Sequence, residues 1–289
     1  MTSEAEVQVR LPARPENVAL VRQALAGIGD TFAVAPALMA DIKTAVTEAC
    51  NNVVLHAYPE AEGILEVEAS PDDRKVAVVV RDEGAGMQPR WVETDEPSLG
   101  LGLPLIATLS DRFEIHGGAN RGIEVRMLFR IDEEADPENN GIVTASAPRP
   151  FAYGTARAAG IAVTPGPIMA PILGRVIAML ASRADFPLDR LSDAVLVTDA
   201  ISATVDPFIP GRHAWVAFQD GKGVLDVWVG PLVKGGAEKL LGTMELPGLP
   251  RSLRDLADEI KVDRVSDQAE ATRGAGEYLL LRMNGARRG

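Results

Sequence analysis

Glu48 and Asn52 stand one helical turn apart in an amphipathic stretch, and His56 follows one turn later. Residues at these spacings share one face of a helix. An acid beside an amide suits a magnesium–nucleotide site. The amide oxygen is a hard donor for the cation, and phosphates and waters complete the octahedron. The carboxylate can take a proton from an attacking hydroxyl or water. The same residues also fit a plain solvated polar face. Asn51 lies about 100° round the helix from Asn52 and is the lesser ligand candidate. His56 reads as a helix-end hydrogen-bonding residue.

Two glycine-bearing motifs follow. Asp82-Glu83-Gly84-Ala85-Gly86 comes directly after an apolar run, residues 76–80. A carboxylate at a strand end can accept a hydrogen bond from the exocyclic amine of adenine. Gly84 and Gly86 let the backbone turn sharply and approach a flat base. Gly100-Leu101-Gly102-Leu103 opens a helical pattern. Free N–H groups at a helix start suit a phosphate. The polar residues 88–98 between these motifs read as a lid. Each motif alone is an ordinary turn or cap; the three in this order point to a nucleotide site.

The elements that must position them are legible. Residues 6–11 read as an edge strand and 18–28 as a helix. Leu38, Ile42, Ala45, Val46, Ala49 and Val53 recur by threes and fours, an apolar helical stripe. Pro36 suits the helix start and Tyr58-Pro59 its end. Residues 64–69 alternate as a half-buried strand, and 76–80 read as a central one. Residues 103–109 read as a helix, with strands at 113–116 and 124–130. The expected class is α+β: a two-layer α/β sandwich with a mostly antiparallel sheet.

At 289 residues the chain has room for two domains. A net charge of −12 argues against a nucleic-acid phosphate binder and admits basic partners. Cys50 is the single cysteine, which excludes an intrachain disulfide. Its apolar helical setting predicts a small core residue. No apolar run is long enough to span a bilayer, and residues 1–10 do not resemble a signal peptide. The expectation is a cytoplasmic protein with no membrane partner.

Residues 132–150 are acidic, then rich in Pro, Asn, Ser and Ala, and read as a linker. On either side the sequence echoes itself. Thr47-Glu48-Ala49 matches Thr198-Asp199-Ala200, residues 76–80 match 224–229, and Leu128-Phe129-Arg130-Ile131 matches Leu280-Leu281-Arg282-Met283. The offset stays about 150 residues, which predicts a tandem copy.

Together the three motifs resemble the GHKL ATPases of gyrase, histidine kinases and heat-shock chaperones. Glu48 to Asn52 is similar to their N box, Asp82 to Gly86 to their first glycine box, and Gly100 to Leu103 to their second. Thr47-Glu48-Ala49 with Asn52, His56 and Tyr58 resembles the bacterial anti-sigma factor serine kinases. The resemblance implies the Bergerat fold, ATP and Mg2+ as cofactors, and these roles: Glu48 as base, Asn52 on magnesium, Asp82 on adenine, and Gly84, Gly86, Gly100, Leu101, Gly102 and Leu103 around the nucleotide. It implies γ-phosphoryl transfer to a serine or threonine of an anti-anti-sigma protein, and a sigma factor as second partner. Ile123 stands where the family often carries Thr, and Ala57 where it usually carries Gly.

By the repeat, Asp199, Ala203 and Gly230 replace Glu48, Asn52 and Asp82, and the region 250–253 replaces the glycine pair. The expected organisation is a GHKL kinase domain at 1–132, a linker at 133–155 and a degenerate copy at 156–289 without nucleotide motifs, acting as an intrachain pseudo-dimer. Two other readings remain open at this point: a non-catalytic ATP-dependent binding module, and a histidine-kinase-like ATPase domain. No phosphoacceptor-histidine helix precedes the motifs, which weighs against the last.

Overall fold

A computed structural model describes residues 7–59, 62–86, 102–118, 122–131, 159–243, 256–265 and 276–286. The chain divides into two units, residues 1–25 with 32–149, and residues 26–31 with 150–289. The segment 133–155 expected as a linker lies outside the described residues.

The first unit runs β1 (Val7–Pro12), α1 (Pro15–Thr31, of which residues 26–31 fall in the second unit), α2 (Pro36–Asn52), β2 (Ile64–Pro71), β3 (Lys75–Arg81), α3 (Gly102–Leu109), β4 (Arg112–Gly117) and β5 (Ile123–Arg130). Its strands lie in the order β4-β5-β3-β2-β1, and every neighbouring pair is antiparallel. This is the α+β architecture expected.

Alternation along the strands divides the sheet into two faces. Val76, Val78 and Val80 on β3 lie opposite Phe129, Met127 and Val125 on β5, and all are buried. Leu65, Val67 and Ala69 on β2 are buried in the same layer. Against this face packs α2, through Met39, Ile42, Ala45, Val46, Ala49 and Cys50. Met39, Ile42 and Val46 each contribute about 1.5–3 kcal/mol when fully buried. Leu38, expected in the stripe, is only partly buried. Met39 takes the core-facing position, because the 39-42-46-49-53 spacing aims at the sheet. The opposite face carries ion pairs beside buried Ala77, Val79 and Leu128: Arg10 pairs with Glu66, Arg81 with Glu68 and Glu124, and Arg126 with Glu124.

Cys50 is fully buried, and burial pushes its thiol pKa well up. A neutral, enclosed thiol is inert. Alkylation at pH 8 is therefore expected to label Cys50 only after unfolding by denaturant. Labelling of the folded protein within minutes would show that the helix is open there.

The second unit runs β6 (Ala159–Val163), α4 (Met169–Arg183), α5 (Leu188–Thr204), β7 (Ala214–Gly221), β8 (Val224–Leu232), α6 (Gly236–Thr243), β9 (Glu259–Val265) and β10 (Gly276–Asn284). Its strand order is β6-β7-β8-β10-β9. In both units the first three strands are consecutive and the fifth lies between the third and fourth. The echoed segments fall in corresponding elements: Thr198-Asp199-Ala200 on α5, residues 224–229 on β8 and residues 280–283 on β10. Residues 250–253 lie outside the described residues. Trp215 packs with Ala162, Ala217 and Tyr278, and Trp228 lies against them, so both tryptophans serve packing. Buried Arg190 near the start of α5 binds Asp193, Asp258 and the carbonyls of Leu256 and Asn284.

Candidate nucleotide site

The site begins with the length of α2. Pro36 occupies the first turn, where its missing N–H is not needed. The helix continues past Asn52 into a π-helical turn, Val53–Ala57, and stops at Tyr58, whose φ is −130° before Pro59. A single π-turn of this kind often marks a functional position. Glu48 and Asn52 are both half-buried on the last α-turns.

Gly102, the first residue of α3, lies on this pair. A Cβ there would stand 3.4 Å from Glu48 Oε2 and 3.7 Å from Asn52 Oδ1. A carboxylate, an amide oxygen and the positive end of a helix therefore converge here. The donor set suits magnesium, which prefers one or two protein oxygens and fills the rest with water and phosphate. Among the described residues no group of three or more His, Cys, Asp or Glu could hold a metal ion. Leu103 is 36% exposed beside Gly102. Gly100 and Leu101 lie outside the described residues, as does the expected lid at 88–98.

Asp82 continues the buried, helix-facing series of Val78 and Val80, and is 8% exposed. Its carboxylate accepts the Gly84 N–H at 2.8 Å, and its own N–H donates to the Ile123 carbonyl at 3.0 Å. Burial raises its pKa above that of an ordinary aspartate, and the amides of Gly84 and Ile123 pull the other way. The glycines here answer to the protein's own backbone. A Cβ at Gly84 would stand 2.1 Å from the Ala57 carbonyl oxygen. Gly122 has φ +66°, and a Cβ there would stand 2.0 Å from the Asp82 carbonyl oxygen. Gly86 turns the chain with φ +71°. Sequence reading missed Gly122 as a site residue; its signal was the glycine just before the last strand of the unit.

A crevice of about 680 Å³ opens beside Asp82. Glu66, Arg81, Glu124 and His116 lie opposite one another in register along it, on the charged face of the sheet. Glu48 and Asn52 belong to α2, which packs on the other face, so the crevice meets the motif residues at Asp82. His56 is exposed at the end of α2.

Residues 11–129 match the family model of the histidine kinase-like ATPase domain. The chain is also 30% identical over 148 residues to the serine-protein kinase RsbW of Bacillus mycoides (strain KBAB4), covering 91% of that protein and 47% of this chain. The chain belongs to the histidine kinase-like ATPase family. Within it, the relatives come from the anti-sigma factor and serine-protein kinase branch. The anti-sigma F factor of Caldanaerobacter subterraneus is 30% identical over 133 residues, covering 93% of that protein and 43% of this chain. A solved structure of RsbU and RsbW domains from Mycobacterium tuberculosis has a TM-score of 0.34 and 23% identity, covering 43% of this chain and 31% of that one. The family match ends at residue 129, short of the 150–289 segment that makes up most of the second unit. Among the described residues no helix is long and apolar enough to cross a membrane.

Proposed function

We propose that the first unit binds Mg–ATP and transfers its γ-phosphoryl group to a serine or threonine of an anti-anti-sigma protein, and that the chain sequesters a sigma factor in the same pathway. The observation that carries this reading is Gly102 seated on Glu48 and Asn52. A module that only binds nucleotide needs no base; here a carboxylate stands at the helix start expected to receive phosphate.

In this reading Asn52 Oδ1 holds the cation, which neutralises charge on the phosphates when bound. Glu48 accepts the proton of the attacking hydroxyl as its oxygen bonds to the γ-phosphorus and ADP departs. The N-terminal amides of α3 stabilise the oxygens on which charge builds. Asp82 accepts the exocyclic amine of adenine.

We further propose that the second unit is a copy without a nucleotide site. The shared strand order supports this, as do the residues at the corresponding places. Ala203 has no oxygen for a cation. A Cβ at Gly230 would stand 2.7 Å from the Glu277 carbonyl oxygen, which leaves no room for an aspartate. Just after β8, the Ala237 N–H donates to the Glu277 carboxylate, and a further bond from Gly235 helps hold that carboxyl below its usual pKa.

Calorimetry with Mg–ATP tests both points. One site per chain is expected, weakened about ten- to hundredfold in Asp82→Asn and Asn52→Ala. Absence of binding would overturn the kinase reading, and two sites would overturn the reading of the second unit.

A further inference from the structure

The turn that carries Asp82 is not held by its own strand alone. Tyr58, just past the π-turn that ends α2, donates its hydroxyl to the Ile64 carbonyl at 2.8 Å. The same hydroxyl accepts the Glu83 N–H at 2.9 Å. One residue earlier, the Ala57 carbonyl accepts the Ala85 N–H at 3.0 Å. Gly84 lies between these two fastenings, with no room for a Cβ against Ala57. Behind Tyr58, a Cβ at Gly63 would stand 2.1 Å from the ring, so the phenol is packed tightly in place.

We infer that Tyr58 is a positioning residue that sets where the Asp82 carboxylate meets the purine, and so governs discrimination between adenine and other bases. The inference rests on the nucleotide reading above. Its physical basis is continuity. Asn52 and Tyr58 lie on one uninterrupted stretch of backbone, six residues apart, and Tyr58 is bonded to the residue next to Asp82. The phosphate end and the base end of the site are thereby referred to one element, α2. Loss of the hydroxyl leaves the Glu83 N–H to water and frees the turn to shift. A bidentate or single hydrogen bond to a base tolerates little misplacement.

The test compares ATP with inosine triphosphate, which carries a keto oxygen where adenine carries its amine. Affinities of the Mg complexes are measured for the full chain, for Tyr58→Phe and for Asp82→Asn. Tyr58→Phe is expected to reduce the preference for ATP about three- to tenfold, leaving inosine triphosphate affinity and the unfolding midpoint little changed. Asp82→Asn marks the full loss of preference. An unchanged preference in Tyr58→Phe would overturn the inference, as would an equal fall for both nucleotides, which signals general loosening. Amide exchange of the unaltered chain gives a check that needs no variant. The Glu83 N–H, on an exposed residue, is expected to exchange slowly, and fast exchange would overturn the inference. Failure of the unaltered chain to bind ATP at all would remove the nucleotide reading and this inference with it.

Discussion

Glu48→Gln is expected to lower phosphoryl transfer about 10²- to 10⁴-fold while leaving Mg–ATP affinity within about threefold, the signature of a lost general base. The exchange preserves the shape of the side chain against Gly102, where a Cβ would stand 3.4 Å from Glu48 Oε2. It removes the charge and the ability to take the substrate proton. Asn52→Ala is the contrasting variant: it leaves the base in place and takes away the oxygen proposed for the cation. Binding and transfer should then fall together. Single-turnover transfer of labelled γ-phosphate to an anti-anti-sigma protein, measured beside nucleotide affinity, separates the two. Undiminished transfer in Glu48→Gln would assign the proton to another group. A parallel collapse of ATP affinity would make Glu48 part of the cation's surroundings.

The second large effect is expected at a position with no reactive side chain. Gly122→Ala places a methyl group 2.0 Å from the Asp82 carbonyl oxygen, at a backbone φ of +66°. Both the overlap and the left-handed conformation oppose the change, and a loss of more than about 2 kcal/mol is expected. Nucleotide binding should fail in the same variant, because the Gly122 N–H donates to the Gly84 carbonyl at 3.1 Å and holds the Asp82 turn from the far side. Gly118→Ala is the control. A Cβ there meets nothing within 4 Å, so a change within about 0.5 kcal/mol is expected. Urea denaturation of the two variants checks the difference. Equal stabilities would mean that the turn yields readily and that Asp82 is held by other contacts.

Much of this protein is written in local pattern. The stripe from Ile42 to Val53, the runs 64–69 and 76–80, and the punctuation by Pro36 and Tyr58-Pro59 each depend on neighbours within a few residues. Burial then rewards the periodicity that is already there. For the same reason Glu48 and Asn52 could be placed on one helix face, and the place of Asp82 after a buried strand could be read. The antiparallel α+β class followed from the order of those elements.

Tertiary structure decided what the pattern could not. Nothing within reach of Gly102 along the chain says that it will rest on Glu48 and Asn52, some fifty residues away. Gly84 was read as room for a base, yet the adjoining space belongs to the carbonyl of Ala57. Gly63 and Gly122 were not read as site residues, although a side chain at either would collide with Tyr58 or Asp82. Tyr58 itself was legible as the end of a helix; that its hydroxyl fastens Glu83 was not. Helix and strand periodicity come from interactions over three or four residues. The close approach of one backbone to another is set by how whole elements pack, and a glycine at such a contact looks the same in sequence as a glycine in any turn.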